Sequence, residues 1–205
     1  MTNVYVVGRD SSVEYLFEKR GFNVHAGDVP NEIPDLVVFT GGSDIDPVYY
    51  GEENTDSYVS EYSRRRDKYE IGVYNWAWKH GIPKAGICRG GQLFNIMNDG
   101  SMVQHIDGHS GGTHDVFEYS TGNLVGRTNS CHHQMMVPTD EAELILYSLY
   151  NPGGLVSGEK CPEVIFYRKS KDLCFQAHPE WEHKHTEELF FRYIEEFFGI
   201  GPKGN

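Results

Sequence analysis

Residues 84–98 read KAGICRGGQLFNIMN: a short apolar run, a cysteine between small residues, then apolar residues at helical spacing. Strand, then G-x-C-x-G, then helix is the grammar of a nucleophile elbow. So tight a turn admits only small flanking residues, and Gly86 and Gly90 supply them. Such a turn projects Cys88 from a strand end and aims the N-terminus of the next helix at the sulfur, which favours the thiolate. It also leaves the backbone N–H of Arg89 free to face a developing oxyanion. The elbow alone fits two descriptions: a nucleophile, or a small half-buried thiol at the end of a strand.

The surrounding pattern predicts the sheet that would carry this turn. NVYVVG (3–8) is a first strand, and Val13, Leu16, Phe17 and Arg20 fall at helical spacing up to Gly21. Phe22 to His25 is a second strand and DLVVF (35–39) a third, flowing into the polar loop TGGSDIDPVYYGE. Asp67 and Glu70 are spaced as a capping box, and Tyr69, Val73, Trp76 and Ala77 form an apolar helical face ending at Gly81. Lys84 to Ile87 is a strand and Gly90 to Asn98 a helix. This alternation indicates a parallel α/β sheet. Beyond Gly100 shorter strands are expected at Thr113–Tyr119 and Leu124–Arg127, then a hairpin of Glu163–Arg168 with Leu173–Ala177. A last helix carries Leu189, Phe190, Tyr193, Ile194, Phe197 and Phe198. No repeat or linker divides the chain, so one domain over 1–205 is expected.

Charge narrows the function classes. The net charge is −12, which argues against a nucleic-acid surface, since that needs a basic stripe. The one basic run, Arg64–Arg66, reads as a solvated loop next to a helix start. No stretch reaches the ~20 apolar residues that span a bilayer, and the N-terminus lacks a signal-peptide pattern. Four scattered cysteines without a CxxC pair need not form a disulfide framework. The expectation is a reduced, cytoplasmic protein.

A thiol nucleophile needs a base or a cationic neighbour. Of ten histidines, His178 is best placed, at the end of the apolar strand 173–177. Glu180 follows at i+2, on the same face of an extended chain, where a carboxylate fixes the imidazole tautomer. Cys88, His178 and Glu180 then read as nucleophile, base and orienter. Gly41-Gly42, after strand DLVVF, would let backbone N–H groups approach a ligand at the sheet edge where ligands bind. Gly42 is the candidate second oxyanion donor beside Arg89.

Taken in order, TGG (40–42), GICRGGQ (86–92) and HPE (178–180) resemble the class I glutamine amidotransferase superfamily over nearly the whole chain. GGSDIDPVYYGE (41–52), RRRDKYE (64–70), the C-R-G elbow and SCHHQ (130–134) resemble its γ-glutamyl hydrolase branch, nearest the γ-glutamyl-γ-aminobutyrate hydrolase type. The resemblance implies a flavodoxin-like three-layer α/β sandwich with a central, mostly parallel sheet. It implies a Cys88–His178–Glu180 triad, Gly42 and Arg89 as oxyanion donors, and Gln92 as a γ-glutamyl contact. Ser130, His132 and His133 are carried over as residues beside a small γ-glutamyl substrate. The chemistry so implied is amide hydrolysis through a γ-glutamyl thioester, with no metal or organic cofactor required.

Three departures bear on the substrate. Thr40 stands where proline is usual, Gly91 replaces a larger residue and so is expected to widen the pocket floor, and Asp99-Gly100-Ser101 replaces Gly-Gly-Thr. The chain is also shorter than typical members of the branch. The leading rival is a glutaminase subunit that passes ammonia to a separate synthetase. A silent relative used only for binding is another. A metal protein built on His105, His109, His114, Cys131, His132 and His133 is a third, but these spacings fit no standard helix or knuckle pattern.

Overall fold

Strand β1 (Asn3–Val7) shows how the core is divided. Successive side chains of a strand point to opposite faces. Val4 and Val6 accordingly join one apolar cluster, while Tyr5 and Val7 join another. The same alternation runs through β3 (Leu36–Phe39), where Leu36 and Val38 face one cluster and Val37 and Phe39 the other. A sheet buried on both faces needs helices on both. Helices α1 (Ser11–Glu18) and α4 (Lys184–Phe198) cover the first face, through Leu16, Phe17, Phe190 and Ile194. Helices α2 (Glu61–Lys79) and α3 (Arg89–Met97) cover the second, through Val73, Tyr74, Leu93 and Phe94. The result is the expected three-layer α/β arrangement, seen in a computed structural model that describes residues 1–149 and 160–201.

The remaining strands are β2 (Asn23–Gly27), β4 (Lys84–Ile87), β5 (Ser101–Val103), β6 (Ser110–Glu118), β7 (Leu124–Cys131), β8 (Met135–Val137), β9 (Glu143–Leu149), β10 (Lys160–Tyr167) and β11 (Asp172–Phe175). Among the described residues, one sheet of nine strands runs in the order β2-β1-β3-β4-β11-β10-β9-β6-β7, and β5 pairs with β8 separately. From β2 to β11 every pairing is parallel. From β11 to β7 every pairing is antiparallel. The parallel half carries the elbow. In register, Phe39 lies opposite Gly86 and Phe175 opposite Ile87.

Several sequence expectations change. β6 and β7 are nine and eight residues long, not short, and they pair as a bulged ribbon. β9, whose run ELILYSL carries no period-2 signal, was not expected. Helix α2 begins well before Asp67: Ser60 is its N-cap, and Ser60 with Ser63 forms the capping box. Arg64–Arg66 therefore lie within the helix rather than on a loop. Asp67 and Glu70 do share a face, as a capping box requires, but that face is turned into the protein, where both are buried. Tyr69, expected on the apolar face, is 42% exposed, and its hydroxyl bonds Gly27 O at 3.1 Å.

One buried ion pair pins the far end of β4. Lys84 Nζ lies 3.0 Å from Asp172 Oδ1, and neither side chain touches solvent. Tyr74 and Asn98 donate to the other oxygen at 2.7 and 2.8 Å. Removing one partner of such a pair strands a buried charge. Asp172→Ala should therefore lower unfolding stability by about 3–5 kcal/mol, measured by urea denaturation.

Candidate active site

The elbow is as tight as its glycines suggested. Cys88 occupies φ 48° and ψ −109°, a region that costs a non-glycine residue about 1–3 kcal/mol. Its N–H donates to Phe175 O at 2.7 Å, which holds the strained residue against β11. A Cβ on Gly86 would strike the backbone of Gly90 and Gly91. One on Gly90 would lie 2.8 Å from the Phe39 carbonyl carbon. Both positions are closed to any side chain. Cys88 is the N-cap of α3 and Arg89 its first residue, so the Arg89 N–H has no acceptor within the helix.

The three expected triad residues meet. His178 Nδ1 lies 2.7 Å from Glu180 Oε1, leaving Nε2 for the Cys88 thiol. Burial disfavours a charged imidazole, but the contacts with Cys88 and Glu180 outweigh it and raise the His178 pKa to about 10. The arrangement suits an imidazolium beside the Cys88 sulfur at neutral pH. A Cβ on Gly41 would lie 2.9 Å from His178 Cε1 and 3.7 Å from Cys88 Cβ, so this backbone is packed directly on the pair. Gly42, the expected oxyanion donor, follows at φ 142°, with Arg66 where its Cβ would be.

Several positioning residues were not expected from the sequence. Asn129 clasps the His178 backbone from both sides: His178 N–H donates to its Oδ1 at 2.8 Å, and its Nδ2 donates to His178 O at 2.7 Å. Trp181 stacks on the imidazole, with centroids 4.0 Å apart and planes 12° apart. Gln176 Nε2 donates to Cys88 Sγ at 3.5 Å. The Arg89 side chain turns inward and pairs with Asp67 and Glu70 of α2. Burial works against its charge, yet the two carboxylates hold its pKa above the ordinary value. Glu70 also accepts from Arg66 Nε at 2.6 Å, and Arg66 donates to both oxygens of Thr40 at 3.1 Å. The signal for this network is Arg66–Glu70 at i,i+4, which the reading of Arg64–Arg66 as a loop and of Glu70 as a cap residue conceals.

The substrate-side candidates are placed as follows. Gln92 lies one turn after Cys88, and its amide donates to Gln176 Oε1 at 3.3 Å. Ser130 Oγ donates to His109 O at 2.6 Å. His132 turns to His109 and His133 to Asp44, so the adjacent rings do face opposite ways. Gly91 does not line a pocket floor: its Cβ position lies 3.0 Å from Phe175 N, so the missing side chain makes room for β11. Thr40, in the usual proline position, supplies the hydroxyl that Arg66 grips.

Two results are expected from these contacts. Gly41→Ala should fold but lose at least about tenfold in turnover, because the added methyl displaces the imidazole. His178→Ala should slow iodoacetamide alkylation of Cys88 at pH 7 by at least about tenfold, read on the Cys88 peptide by mass spectrometry.

Comparison with known proteins gives one consistent answer. A glutamine amidotransferase-like protein of Lactococcus lactis is 29% identical over 77% of this chain and 71% of its own. A protein of Mycobacterium tuberculosis described as a glutamine amidotransferase is 29% identical over 70% of this chain, which spans only 50% of that relative's length. Among solved structures, a glutamine amidotransferase of Thermotoga maritima superimposes with a TM-score of 0.63 at 17% identity, over 98% of this chain and 87% of that one. The family model described as peptidase C26 matches residues 30–148, more than half of the sequence. The chain belongs to the peptidase C26 family, on a fold shared with class I glutamine amidotransferases.

Proposed function

We propose that this protein hydrolyses the γ-glutamyl amide bond of glutamine or a γ-glutamyl amine, with Cys88 as nucleophile, and releases glutamate. The observation that carries the reading is the meeting of Cys88, on a strained elbow, with the Glu180-held ring of His178 against the Gly41 backbone. Peptidase C26 membership supports a hydrolase, and the amidotransferase-like relatives support a glutamine-type substrate.

The geometry gives each group a step. Cys88 Sγ attacks the γ-carbonyl carbon, and the carbonyl electrons move to oxygen. The N–H groups of Arg89 and Gly42 receive that oxyanion. His178 Nε2–H protonates the amine nitrogen as the C–N bond breaks, leaving a γ-glutamyl thioester. The now neutral imidazole takes a proton from water, whose oxygen attacks the thioester. The C–S bond breaks, glutamate leaves, and His178 and Cys88 return to their starting states. Glu180 holds the tautomer throughout. A thiol in this role suits the reducing cytoplasm.

A second reading is a glutaminase subunit that delivers ammonia to a separate synthetase. What favours it is the nearly full-length overlap with PurLQS of Thermotoga maritima, over 94% of this chain and 99% of that one, with a TM-score of 0.64 at 16% identity. One experiment separates the two. The purified chain alone should release glutamate from glutamine or from a panel of γ-glutamyl amines, and Cys88→Ala should reduce release by at least about 10³-fold. Release only from glutamine, and only on adding a synthetase, would favour the second reading. No release under either condition would refute both.

A further inference from the structure

A second cluster of reactive side chains lies beside this site and has no part in the triad. His109 precedes β6, His132 follows β7, and Glu163 is on β10. His109 Nδ1 is 3.2 Å from His132 Nε2 and 3.6 Å from Glu163 Oε1, and His132 Nε2 is 3.9 Å from that same oxygen. The three residues are 3%, 6% and 2% exposed. A tetrahedral zinc ion with bonds of about 2.0–2.1 Å needs donors roughly 3.3 Å apart. The three separations bracket that value.

The donor chemistry agrees with the geometry. His132 Nδ1 lies 2.8 Å from the Gln134 carbonyl and donates to it, so Nε2 presents its lone pair to the cluster. Ser148 Oγ donates to Glu163 Oε1 at 2.7 Å, whereas Oε2 is buried with no hydrogen-bond partner among the described residues. His114 Nε2 lies 3.0 Å from Oε1 without a well-directed hydrogen bond. A His–His–Glu network held by hydrogen bonds alone leaves that buried carboxylate oxygen unsatisfied, and an unmade bond at a buried charged group is expensive. A divalent cation at Oε1 would remove that cost only where Glu163 chelates it through both carboxylate oxygens.

We propose that His109, His132 and Glu163 form a structural site for a divalent transition-metal ion of the zinc class, with His114 beside Glu163 as the nearest further donor. Two imidazoles and a carboxylate suit zinc rather than magnesium or calcium, which prefer all-oxygen sites. Chain spacing hides the cluster because its ligands come from three separate segments, with no local pattern. The ion would tie together segments that reach the catalytic thiol. His109 O accepts from Ser130 Oγ and from His132 N–H, while Glu163 O accepts from the N–H of Gln176, whose amide touches Cys88. The site stands independently of the hydrolase reading.

The test uses the full chain, stripped with chelator and dialysed. Zn²⁺ is titrated by calorimetry and Co²⁺ by visible absorption. The expected result is one Zn²⁺ per chain and the intense visible bands of tetrahedral Co²⁺. Affinity should fall by roughly a hundredfold or more in His109→Ala and in the near-isosteric Glu163→Gln. His25→Ala, a histidine on β2, should bind as the wild type does. If His109→Ala fails to fold by circular dichroism, Glu163→Gln decides. Absence of stoichiometric binding, unchanged affinity in Glu163→Gln, or the weak spectrum of octahedral Co²⁺ on surface groups would each overturn the proposal.

Discussion

The buried guanidinium of Arg89 organises the end of this protein that carries the candidate active site. Its backbone forms the first turn of α3 and its side chain reaches Asp67 and Glu70 on α2. A charge so deep is tolerated only when it is paired. Both terminal nitrogens find a carboxylate, while Nε has no hydrogen-bond partner among the described residues. The pairing then spreads outward: Glu70 holds Arg66, Arg66 holds Thr40, and Asp67 accepts from the Asp46 N–H. The elbow, the glycine-pair loop and the DIDP loop are thus all referred to one helix. Ion pairs of this kind contribute little net stability, and their effect here is on geometry.

The α/β class and the meeting of Cys88, His178 and Glu180 were legible because each rests on local signals. Gly86 and Gly90 mark a turn only a small residue can make, and His178-Pro179-Glu180 places base and orienter on one extended face. What lay hidden depended on residues far apart in sequence. Arg89 with Asp67 and Glu70 crosses 19 or more residues, and Asn129 reaches His178 across 49. Asp67 and Glu70 show the hazard of a local rule. Their spacing does place them on one helical face, but the same spacing serves a cap and a buried pair equally well. The neighbour that decides between them is not in the segment.

The histidines divide along the same line. His178 is raised toward its charged form by the thiol and carboxylate at its two nitrogens, despite burial. His132, equally buried but with a carbonyl on one nitrogen, is pushed to neutrality. Identical rings a few strands apart are prepared for opposite work, one to carry a proton and the other to offer a lone pair. Composition counts both the same, and adjacency in SCHHQ says nothing of which way each ring turns.

The register of the sheet has a further consequence. The groups that converge on the thiol come from β3, β4 and β11, which are neighbours in the parallel half. Gly41 lies two residues beyond Phe39, Cys88 one beyond Ile87, and His178 three beyond Phe175, on rungs paired Phe39 with Gly86 and Ile87 with Phe175. The strand ends from which these groups depart are therefore offset by whole rungs of a hydrogen-bond ladder. A slip by one rung would move a group by about 3.3 Å and turn its strand's buried side chains to the other face. No intermediate spacing exists. The backbone thus sets the frame of the site in whole steps, and the side chains packed on His178 set the fine distance from base to sulfur.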